Sequence, residues 1–350
     1  MKYTKVFIDA IGYELAPVVV SSAELERGLE PVYKALRLPM GQLEALTGIV
    51  ERRWWEPGHR LSDGAIAAGR RVLETSGFPA SRLEALIHGG VCREHFEPAT
   101  ACRVAAELRV GGGAVVHDVS NACLGVLNGV IDVANRIELG QIKAGMVVSC
   151  ESAREINEIV IEQLNRSPSM ELYRLSLATL TGGAGAVAVL LTDGSFAGRG
   201  RRGLLGGAVR TAPAHHELCR WGIARDQDDP DQRYRQFTTT DAAAVLTHGV
   251  ALGVETWDAF LERMGWSPDS IDKVICHQVG RSHRDAIYKS LAIDVAKDFS
   301  TFPYLGNMGT VSLPLSAALA EERQHLVPGD RVAFLGIGSG LNCMMLGLEW

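Results

Sequence analysis

The chain has 350 residues, of which 47% are hydrophobic and 22% charged, a balance that excludes extensive disorder. Lys and Arg number 35 against 41 Asp and Glu, a net charge of −6 with no basic stripe, which argues against nucleic acid as a ligand. No apolar run approaches the roughly 18 residues that a membrane-spanning helix requires, and Asp9 interrupts the first apolar run before a signal-peptide core forms. We therefore expect a cytoplasmic protein with no membrane span.

Short apolar runs along the chain predict buried strands, and the amphipathic segments between them predict helices. The predicted strands, in chain order, are Val6–Ile8, Ala85–His88, Val115–Val119, Gly145–Ser149, Ala186–Leu191, Lys273–Cys276, Val332–Leu335 and Met344–Leu348. The predicted helices are Ala65–Ser76, Leu124–Leu139, Asp241–Met264, Arg284–Leu291 and Leu313–His325. Strands that alternate with helices in this way indicate an α/β fold with buried mixed sheets.

The two halves of the chain follow one plan: a long helix, a strand, a polar residue at a strand end, another helix, then a glycine-rich turn and a final strand. This repetition indicates a diverged duplication. The pattern breaks near residues 193–205, so we predict an N-terminal half of residues 1–195 and a C-terminal half of residues 196–350. Residues 157–180 and 211–240 fit neither half, and we expect them to form caps, substrate walls or partner surfaces.

Glycine is over-represented, with 38 residues, or about 11% of the chain against roughly 7% in average proteins. The glycines cluster at the ends of apolar runs: Gly111–Gly113, Gly182–Gly185, Gly206–Gly207 and Gly336–Gly340. Because glycine accepts backbone angles and close approaches that other residues do not, these clusters predict tight turns and close backbone approach.

The seven cysteines are scattered and odd in number and include no Cys-x-x-Cys pair, so they predict neither a disulfide framework nor a zinc ribbon or thioredoxin site. His215, His216 and Cys219 come nearest to a metal-ligand cluster. Pro213 and Trp221 nearby are typical of a loop, and no second pair of ligands follows at metal spacing. We expect loop residues there and no metal site.

Cys123 follows a β-type run and precedes a helical, apolar pattern, in the segment Asp-Val-Ser-Asn-Ala-Cys at 118–123. A thiol at the start of a helix lies near the positive end of the helix dipole and near free backbone N–H groups, both of which favour the nucleophilic thiolate. A buried structural cysteine is the alternative. Cys276 lies inside a predicted strand and is expected to pack in the core.

Two more polar residues lie at strand ends or turns of the C-terminal half. His277 follows a predicted strand, at the edge where open α/β sheets place their ligand groups. Asn307 lies between Gly306 and Gly309 in a turn that brings its amide toward a partner, although a plain turn residue would have the same sequence. A Cys, a His and an Asn delivered in this way predict a nucleophile, an acid/base and an oxyanion donor.

These motifs resemble those of the thiolase-superfamily condensing enzymes, in particular the ketoacyl synthase III branch. The resemblance extends over nearly the whole chain and rests on Asp-Val-x-Asn-Ala-Cys, His-Gln, Gly-Asn-x-Gly and the C-terminal glycine-rich turn. Asn307 follows His277 by 30 positions, as in that family. Residues 93–100 and 336–343 are most similar to OleA-type acyl-CoA condensing enzymes of the bacterial long-chain olefin pathway. The resemblance implies a thiolase-like fold, in which duplicated α/β halves give an αβαβα layering.

Glu97 distinguishes between members of this branch. In typical ketoacyl synthase III enzymes the residue before this proline is apolar, whereas OleA-type enzymes have a glutamate there that removes an α-proton. Joining two acyl thioesters without loss of CO2 requires such a base, and a carboxylate in an apolar channel becomes a stronger base by desolvation. A surface glutamate, or one in an ion pair with the nearby Arg93, is the alternative interpretation of the same residue.

The resemblance implies a Claisen-type condensation of acyl thioesters through an acyl-enzyme on Cys123, with a coenzyme A thioester as substrate and no separate cofactor. The backbone N–H groups of Cys123 and Ser339 would hold the acyl oxyanion. His277 and Asn307 would bind the carbonyl of the second thioester. Glu97, on a loop that crosses to the other chain of a homodimer, would remove its α-proton.

Contacts to CoA follow less directly from the residues. Residues 47–53 are similar to the family's Thr-Gly-Ile-x-x-Arg segment, and Arg53, directly after the arginine of that pattern, is a candidate substrate contact. Arg281 is a candidate phosphate contact or a solvated helix charge. The Trp and Arg that hold adenine in typical ketoacyl synthase III enzymes correspond to Gln42 and Leu46 here. The sequence therefore leaves open whether CoA or an acyl-carrier protein delivers the acyl group.

Other functions are compatible with the same residues. A decarboxylating 3-oxoacyl-acyl-carrier-protein synthase III of fatty-acid biosynthesis is the nearest, and an O- or N-acyltransferase would share the acyl-enzyme. Cys, His and Asn in this chain order also occur in papain-like hydrolases, whose Cys-Gly-x-Cys-Trp signature this chain lacks. A non-catalytic subunit would be expected to lose the nucleophile, which this chain keeps.

Overall fold

The structure, a computed structural model, describes residues 1–196, 202–225, 231 and 233–350. Its strands are β1 (Phe7–Leu15), β2 (Val18–Ser21), β3 (Glu51–Trp54), β4 (Ala85–Gly89), β5 (Val115–Val119), β6 (Ala144–Glu151), β7 (Gly185–Thr192), β8 (Arg202–Thr211), β9 (Cys219–Arg225), β10 (Tyr234–Thr240), β11 (Lys273–Cys276), β12 (Arg331–Gly338) and β13 (Asn342–Glu349). Its α-helices are α1 (Ser22–Gly28), α2 (Glu30–Leu36), α3 (Gln42–Thr47), α4 (Leu61–Ser76), α5 (Thr100–Leu108), α6 (Gly125–Glu138), α7 (Arg154–Arg166), α8 (Met170–Ser176), α9 (Ala242–Met264), α10 (Arg281–Leu291), α11 (Phe302–Leu305) and α12 (Ser312–Glu322). None of these helices is both long and apolar enough to cross a membrane.

In the described part of the chain, nine strands form one mixed sheet in the order β11-β12-β13-β8-β1-β7-β6-β4-β5. β4 is parallel to β5 and β6, β11 is parallel to β12, and the other neighbours are antiparallel. The two halves of the sheet meet where β1 pairs with β8. Each half has the same strand order, and a bridge between Val274 and Asp298 takes the place of β5 in the second half. This repetition of strand order is what a duplication would leave.

Helices cover the sheet in layers, because its central strands are buried on both faces. α6 and α12 lie between the two halves, where Val130 and Leu315 share one core with Val147 and Phe334 of the strands. α4 and α5 pack on the outer face of the N-terminal half, and α9 and α10 pack on the outer face of the C-terminal half. This is the predicted αβαβα layering.

The predicted strands and helices are confirmed, although β1 extends much further than predicted, to Leu15, and other ends shift by a few residues. Strand β8 was not predicted, and Gly206 and Gly207 lie inside it instead of in a tight turn. The close backbone approach expected of these glycines is confirmed, because a Cβ at Gly207 would clash with the carbonyl oxygen of Met345. The glycines therefore permit close contact between neighbouring strands instead of ending one.

The two segments that fit neither half contact each other. Residues 157–180 form most of α7 and all of α8, and residues 211–240 include the hairpin of β9 and β10. The hydroxyl of Thr179 hydrogen-bonds to that of Thr238 at 3.2 Å, which joins the two segments. The predicted boundary falls partly on residues 197–201, which lie outside the described residues. The division of the chain at residue 195 stays a prediction.

Candidate active site

Cys123 lies in a tight loop between β5 and α6, one residue before Leu124, the N-cap of α6. The preceding Ala122 has a φ of 46°, a left-handed conformation that is unfavourable for a residue with a Cβ. Backbone strain of this kind is held in place by surrounding contacts and is concentrated at functional sites. Cys123 as a whole residue is partly exposed, although its sulfur is buried.

The expectation that α6 would favour the Cys123 thiolate is wrong. Burial, the neighbouring Cys219 and the carboxylate of Glu151 raise the pKa of the Cys123 thiol to about 12. Desolvation of the sulfur is the largest of these effects, and it outweighs the backbone N–H of Cys123, which lowers the pKa as expected. The thiol is therefore neutral near pH 7 and must lose its proton during attack.

This raised pKa predicts how alkylation of Cys123 depends on pH. The fraction of Cys123 present as thiolate rises as the pH approaches the pKa of about 12. Alkylation by iodoacetamide should therefore accelerate about tenfold per pH unit from about pH 6 to 9, without a plateau. Mass spectrometry of the Cys123 peptide gives the rate, and exposed Cys102 serves as an internal comparison. A rate independent of pH over this range would indicate a preformed thiolate and contradict the burial argument.

The turn that joins β12 to β13 docks against the Cys123 loop. A Cβ at Gly338 would lie 3.3 Å from the backbone nitrogen of Cys123. The amide of Asn342 donates to Asn121 Oδ1 at 3.0 Å and to the carbonyl oxygen of Ser339 at 3.3 Å. These contacts place the Ser339 turn beside the nucleophile, as a shared oxyanion hole requires. The sequence analysis missed Asn342, which makes this contact across more than two hundred positions of the chain.

Asn307 is held by backbone pairing with the N-terminal half. Its N–H donates to the carbonyl of Thr181, and its own carbonyl accepts the N–H of Gly183, both at 2.9 Å. The Asn307 side-chain oxygen accepts the N–H of Gly309 at 3.0 Å. Its turn is thus fixed from both sides and is more than a plain surface turn.

The residues after Asn307 also hold the start of α6. The N–H of Val126, in the first turn of α6, donates to Thr310 Oγ1 at 2.7 Å. This bond satisfies one of the N–H groups that every helix leaves free at its N-terminus. It also joins the Asn307 turn to the helix that follows Cys123.

Replacing Thr310 with valine should lower the free energy of unfolding by about 1–2 kcal/mol, because the buried N–H of Val126 loses its partner while the side-chain shape is kept. Denaturant unfolding measures the change. Thr247, whose hydroxyl donates to the carbonyl of Ala243 on the exposed face of α9, is the matched control. The argument fails if Thr310→Val and Thr247→Val destabilise the protein equally.

His277 lies at the carboxyl end of β11, where its N–H donates to the carbonyl of Leu335 at 2.9 Å. The imidazole is buried, with 5% of the residue exposed, and its Nδ1 has no hydrogen-bond partner among the described residues. Burial and the neighbouring His283 lower the pKa of His277 to about 3. The imidazole is therefore neutral near pH 7 and does not form an ion pair with a thiolate in advance of the reaction.

Gln278 connects the His277 segment to the segment that leads to Asn307. Its side-chain oxygen accepts the N–H groups of Thr301 and Phe302, at 2.9 and 3.2 Å, and its amide donates to the carbonyl of Cys276 at 2.7 Å. The Gln of the His-Gln motif is thus a structural link. Gln278 thus joins the segment of His277 to that of Asn307. Thr310 joins the Asn307 turn to the start of α6, and Asn342 joins the Ser339 turn to the Cys123 loop. Cys276 is buried in the core, as predicted.

Glu97 lies on the loop between β4 and α5 and is exposed. Phe96 beside it is 90% exposed, and the Glu97–Pro98 peptide bond is cis. No ion pair between Glu97 and Arg93 is recorded among the described residues, whereas the exposure of Glu97 in one protomer fits the alternative of a surface glutamate. In a single protomer Glu97 is exposed to solvent. The apolar channel expected around Glu97 would therefore have to be completed by the surface of another chain.

The two arginines predicted to contact CoA lie in different settings. Arg281 is the exposed first residue of α10, and its side chain packs on Gly48, where a Cβ would lie 2.9 Å from Arg281 Nε. Arg53 is half-buried on β3 and donates to the carbonyl of Ala16 at 3.4 Å. Its neighbour Arg52 is fully buried and donates to the carbonyl of Leu180 at 3.1 Å, so the motif arginine is structural.

Glu151 is a charged residue near the site that the sequence analysis missed. It ends β6, is 4% exposed and accepts the N–H groups of Val91 and Cys92 at 2.9 and 3.1 Å. A Cβ at Gly309 would lie 3.7 Å from Glu151 Oε1. Burial raises the pKa of this carboxyl, although the two N–H groups oppose the shift. The only sequence signal for a role of Glu151 is its position at the end of an apolar run.

Sequence comparison finds full-length relatives. The chain is 55% identical to the acyl-CoA:acyl-CoA alkyltransferase of Shewanella oneidensis and 34% identical to that of Xanthomonas campestris, in each case over 100% of both chains. Beta-ketoacyl-[acyl-carrier-protein] synthase III 5 of Streptomyces coelicolor is 28% identical, over 98% of this chain and 96% of that protein. Residues 261–350 match the family described as 3-oxoacyl-[acyl-carrier-protein (ACP)] synthase III C terminal.

Structural comparison gives the same neighbours. A crystal structure of OleA from Xanthomonas campestris matches with a TM-score of 0.93 at 32% identity, over 100% of this chain and 98% of that chain. Its form with bound lauric acid and lauroyl-CoA matches with a TM-score of 0.92 at 32% identity, over 99% and 100% of the two chains. Other matching structures carry substitutions of a glutamate or a histidine. The likeness confirms the predicted thiolase-like fold.

Proposed function

We propose, from the premise that the chain belongs to the OleA-type acyl-CoA:acyl-CoA alkyltransferases, that it joins two acyl-CoA molecules by a non-decarboxylative Claisen condensation. The observation that carries this proposal is the docking of the Asn307 turn on the start of α6 and of the Ser339 turn on the loop that presents Cys123. In this arrangement the nucleophile, the oxyanion donors and the carbonyl-binding residues serve one reaction centre.

The first half-reaction transfers an acyl group to Cys123. The sulfur attacks the thioester carbonyl while its proton leaves toward His277, since both groups are neutral beforehand. The backbone N–H groups of Cys123 and Ser339 stabilise the oxyanion. The carbon–sulfur bond to CoA then breaks, CoA leaves as its thiol with the proton, and an acyl-enzyme remains.

The second half-reaction forms the carbon–carbon bond. His277 and Asn307 hydrogen-bond the carbonyl oxygen of a second acyl-CoA, which stabilises its enolate. Glu97 removes the α-proton, and the α-carbon attacks the acyl-enzyme carbonyl. The bond to the Cys123 sulfur breaks and a β-ketoacyl-CoA is released without loss of CO2. The sulfur takes up a proton and Glu97 gives up the α-proton it removed, which returns both groups to their starting states.

Glu97 acts on the site of a partner copy of the chain in this proposal. The support is that Phe96 and Glu97 are exposed in one protomer and that Val115, on the edge strand β5, is 42% exposed. An exposed aromatic and an unpaired edge strand are typical of a surface that meets another chain. A homodimer would give each Cys123 a Glu97 from its mate.

The substrate contacts and the location are also proposals. Arg281 is the candidate contact to the CoA phosphates, and Arg53 would have to leave the carbonyl of Ala16 to contribute. CoA enters as part of the substrate, and the reaction needs no separate cofactor. The seven cysteines are free, which suits the reducing cytoplasm where acyl-CoA is found.

Incubation of the purified protein with long-chain acyl-CoA alone tests the proposal. We expect a β-ketoacyl product that contains two acyl chains, with two CoA released per product once its thioester has been hydrolysed. Absence of this product unless malonyl thioester is added would favour a decarboxylating ketoacyl synthase, the activity named for the more distant relatives. Acyl transfer to an added alcohol or amine without carbon–carbon bond formation would favour an acyltransferase.

A further inference from the structure

The segment that carries Glu97 is held at both ends by buried carboxylates. It leaves β4 and enters α5, and its residues 95–98 are exposed. Before the segment, Glu151 Oε1 accepts the N–H of Val91 at 2.9 Å and its Oε2 accepts the N–H of Cys92 at 3.1 Å. After the segment, Asp118 Oδ2 and Oδ1 accept the N–H groups of Thr100 and Ala101, each at 2.9 Å.

The sheet explains why the two carboxylates lie on either side of the segment. β4 is flanked by β5 and β6, to which it is parallel. Asp118 lies near the carboxyl end of β5 and Glu151 ends β6, so both reach the point where the chain leaves β4. Carboxyl ends of parallel strands meet at one edge of the sheet, the edge where α/β folds place their sites.

Asp118 is bonded by its two backbone N–H groups, and Glu151 by its two backbone N–H groups and by the thiol of Cys92. Glu151 is 4% exposed, the side chain of Asp118 is 8% exposed, and no ion pair of Glu151 with Lys, Arg or His is recorded among the described residues. Asp118 lies 4.0 Å from His88 Nδ1, and burial lowers the pKa of His88, which keeps that ring neutral. A buried carboxylate requires hydrogen-bond donors, so each pair of bonds is strong and fixes the backbone that supplies it.

We propose that Glu151 and Asp118 are positioning residues, a carboxylate clamp that sets the direction in which the Glu97 segment leaves the sheet and so places Glu97 at the α-carbon of the second acyl-CoA. This inference rests on the proposed role of Glu97 as the base. A base acts only within hydrogen-bond reach of the proton it removes, and small displacements of a reacting group are costly. Within the segment, Glu94 accepts hydrogen bonds from the N–H and the hydroxyl of Ser62. The position of the exposed residues 95–98 is therefore set by the backbone on either side of them.

Glu151→Gln and Asp118→Asn test the clamp. Each carboxylate uses both oxygens as acceptors, whereas an amide offers one oxygen and sets its NH2 group against the second backbone N–H. We expect each variant to release the same burst of CoA per active site on acylation, while condensation falls about tenfold or more. Hydrogen–deuterium exchange of residues 93–99 should become faster in both variants. Glu138→Gln is the control, because Glu138 accepts the N–H groups of Thr4 and Lys5 at the far end of α6.

Three results would overturn the clamp. These are wild-type condensation in both variants, unchanged exchange of residues 93–99, and a CoA burst that falls in parallel with condensation. If an amide variant does not fold, Glu151→Asp keeps both acceptor oxygens on a shorter arm and should show the same division between the half-reactions. Should Glu97→Gln itself leave condensation intact, the role of Glu97 fails, and the exchange of residues 93–99 still decides the clamp.

Discussion

Replacement of Cys123 by alanine is expected to abolish the acyl-enzyme and to lower condensation by at least about 10³-fold, because no other group can form the thioester intermediate. Intact-protein mass spectrometry after incubation with acyl-CoA should show one acyl group per chain in the wild type and none in Cys123→Ala. Substrate binding should persist, since the N–H groups of the Cys123 loop and the Ser339 turn remain.

The control for this experiment is Cys102→Ala, which removes an exposed thiol on α5. It should acylate and condense as the wild type does. An acyl group that still appears on Cys123→Ala, at any other residue, would contradict the assignment of the nucleophile.

Replacement of Glu97 by glutamine is expected to leave the CoA burst of acylation intact and to lower condensation about 10²- to 10⁴-fold, the usual contribution of a general base. The amide keeps the shape of the side chain but cannot take the α-proton. Rapid-quench measurement of CoA release separates the two half-reactions. Glu74→Gln, at an exposed carboxylate on α4, is the matched control.

Mixed dimers test whether Glu97 crosses to the partner. Chains with Cys123→Ala and chains with Glu97→Gln are each expected to be inactive alone. A mixed dimer would contain one site with an intact Cys123 and an intact Glu97 from the other chain, so condensation should return on mixing. No recovery in dimers shown to be mixed would place the base within its own protomer.

Local patterns were sufficient to predict the strands and helices around the site. β5 and β11 are each followed by polar residues, and Cys123 and His277 lie in the segments that follow them, as predicted. Side chains at the ends of neighbouring parallel strands share one edge of the sheet, as Asp118 on β5 and Glu151 on β6 do on either side of β4. The resemblance to a known family then supplied roles that spacing alone does not supply.

The features that were missed depend on contacts distant in sequence. The pKa of Cys123 is raised by burial and by Cys219 and Glu151, none of which the local helix signal contains. Asn342 and Glu151 act on loops more than fifty positions away. β8 was not predicted because it contains glycines, which its close contact with the neighbouring strand requires. The β9–β10 hairpin was not predicted because its residues are charged and aromatic.

The proposed function is tested most directly by a competition between long-chain acyl-CoA and malonyl-CoA labelled with carbon-13 in its free carboxyl group. The account predicts a product built from two complete acyl chains and no labelled CO2 above an enzyme-free control. Release of one labelled CO2 for each product, with chains extended by two carbons, would contradict it.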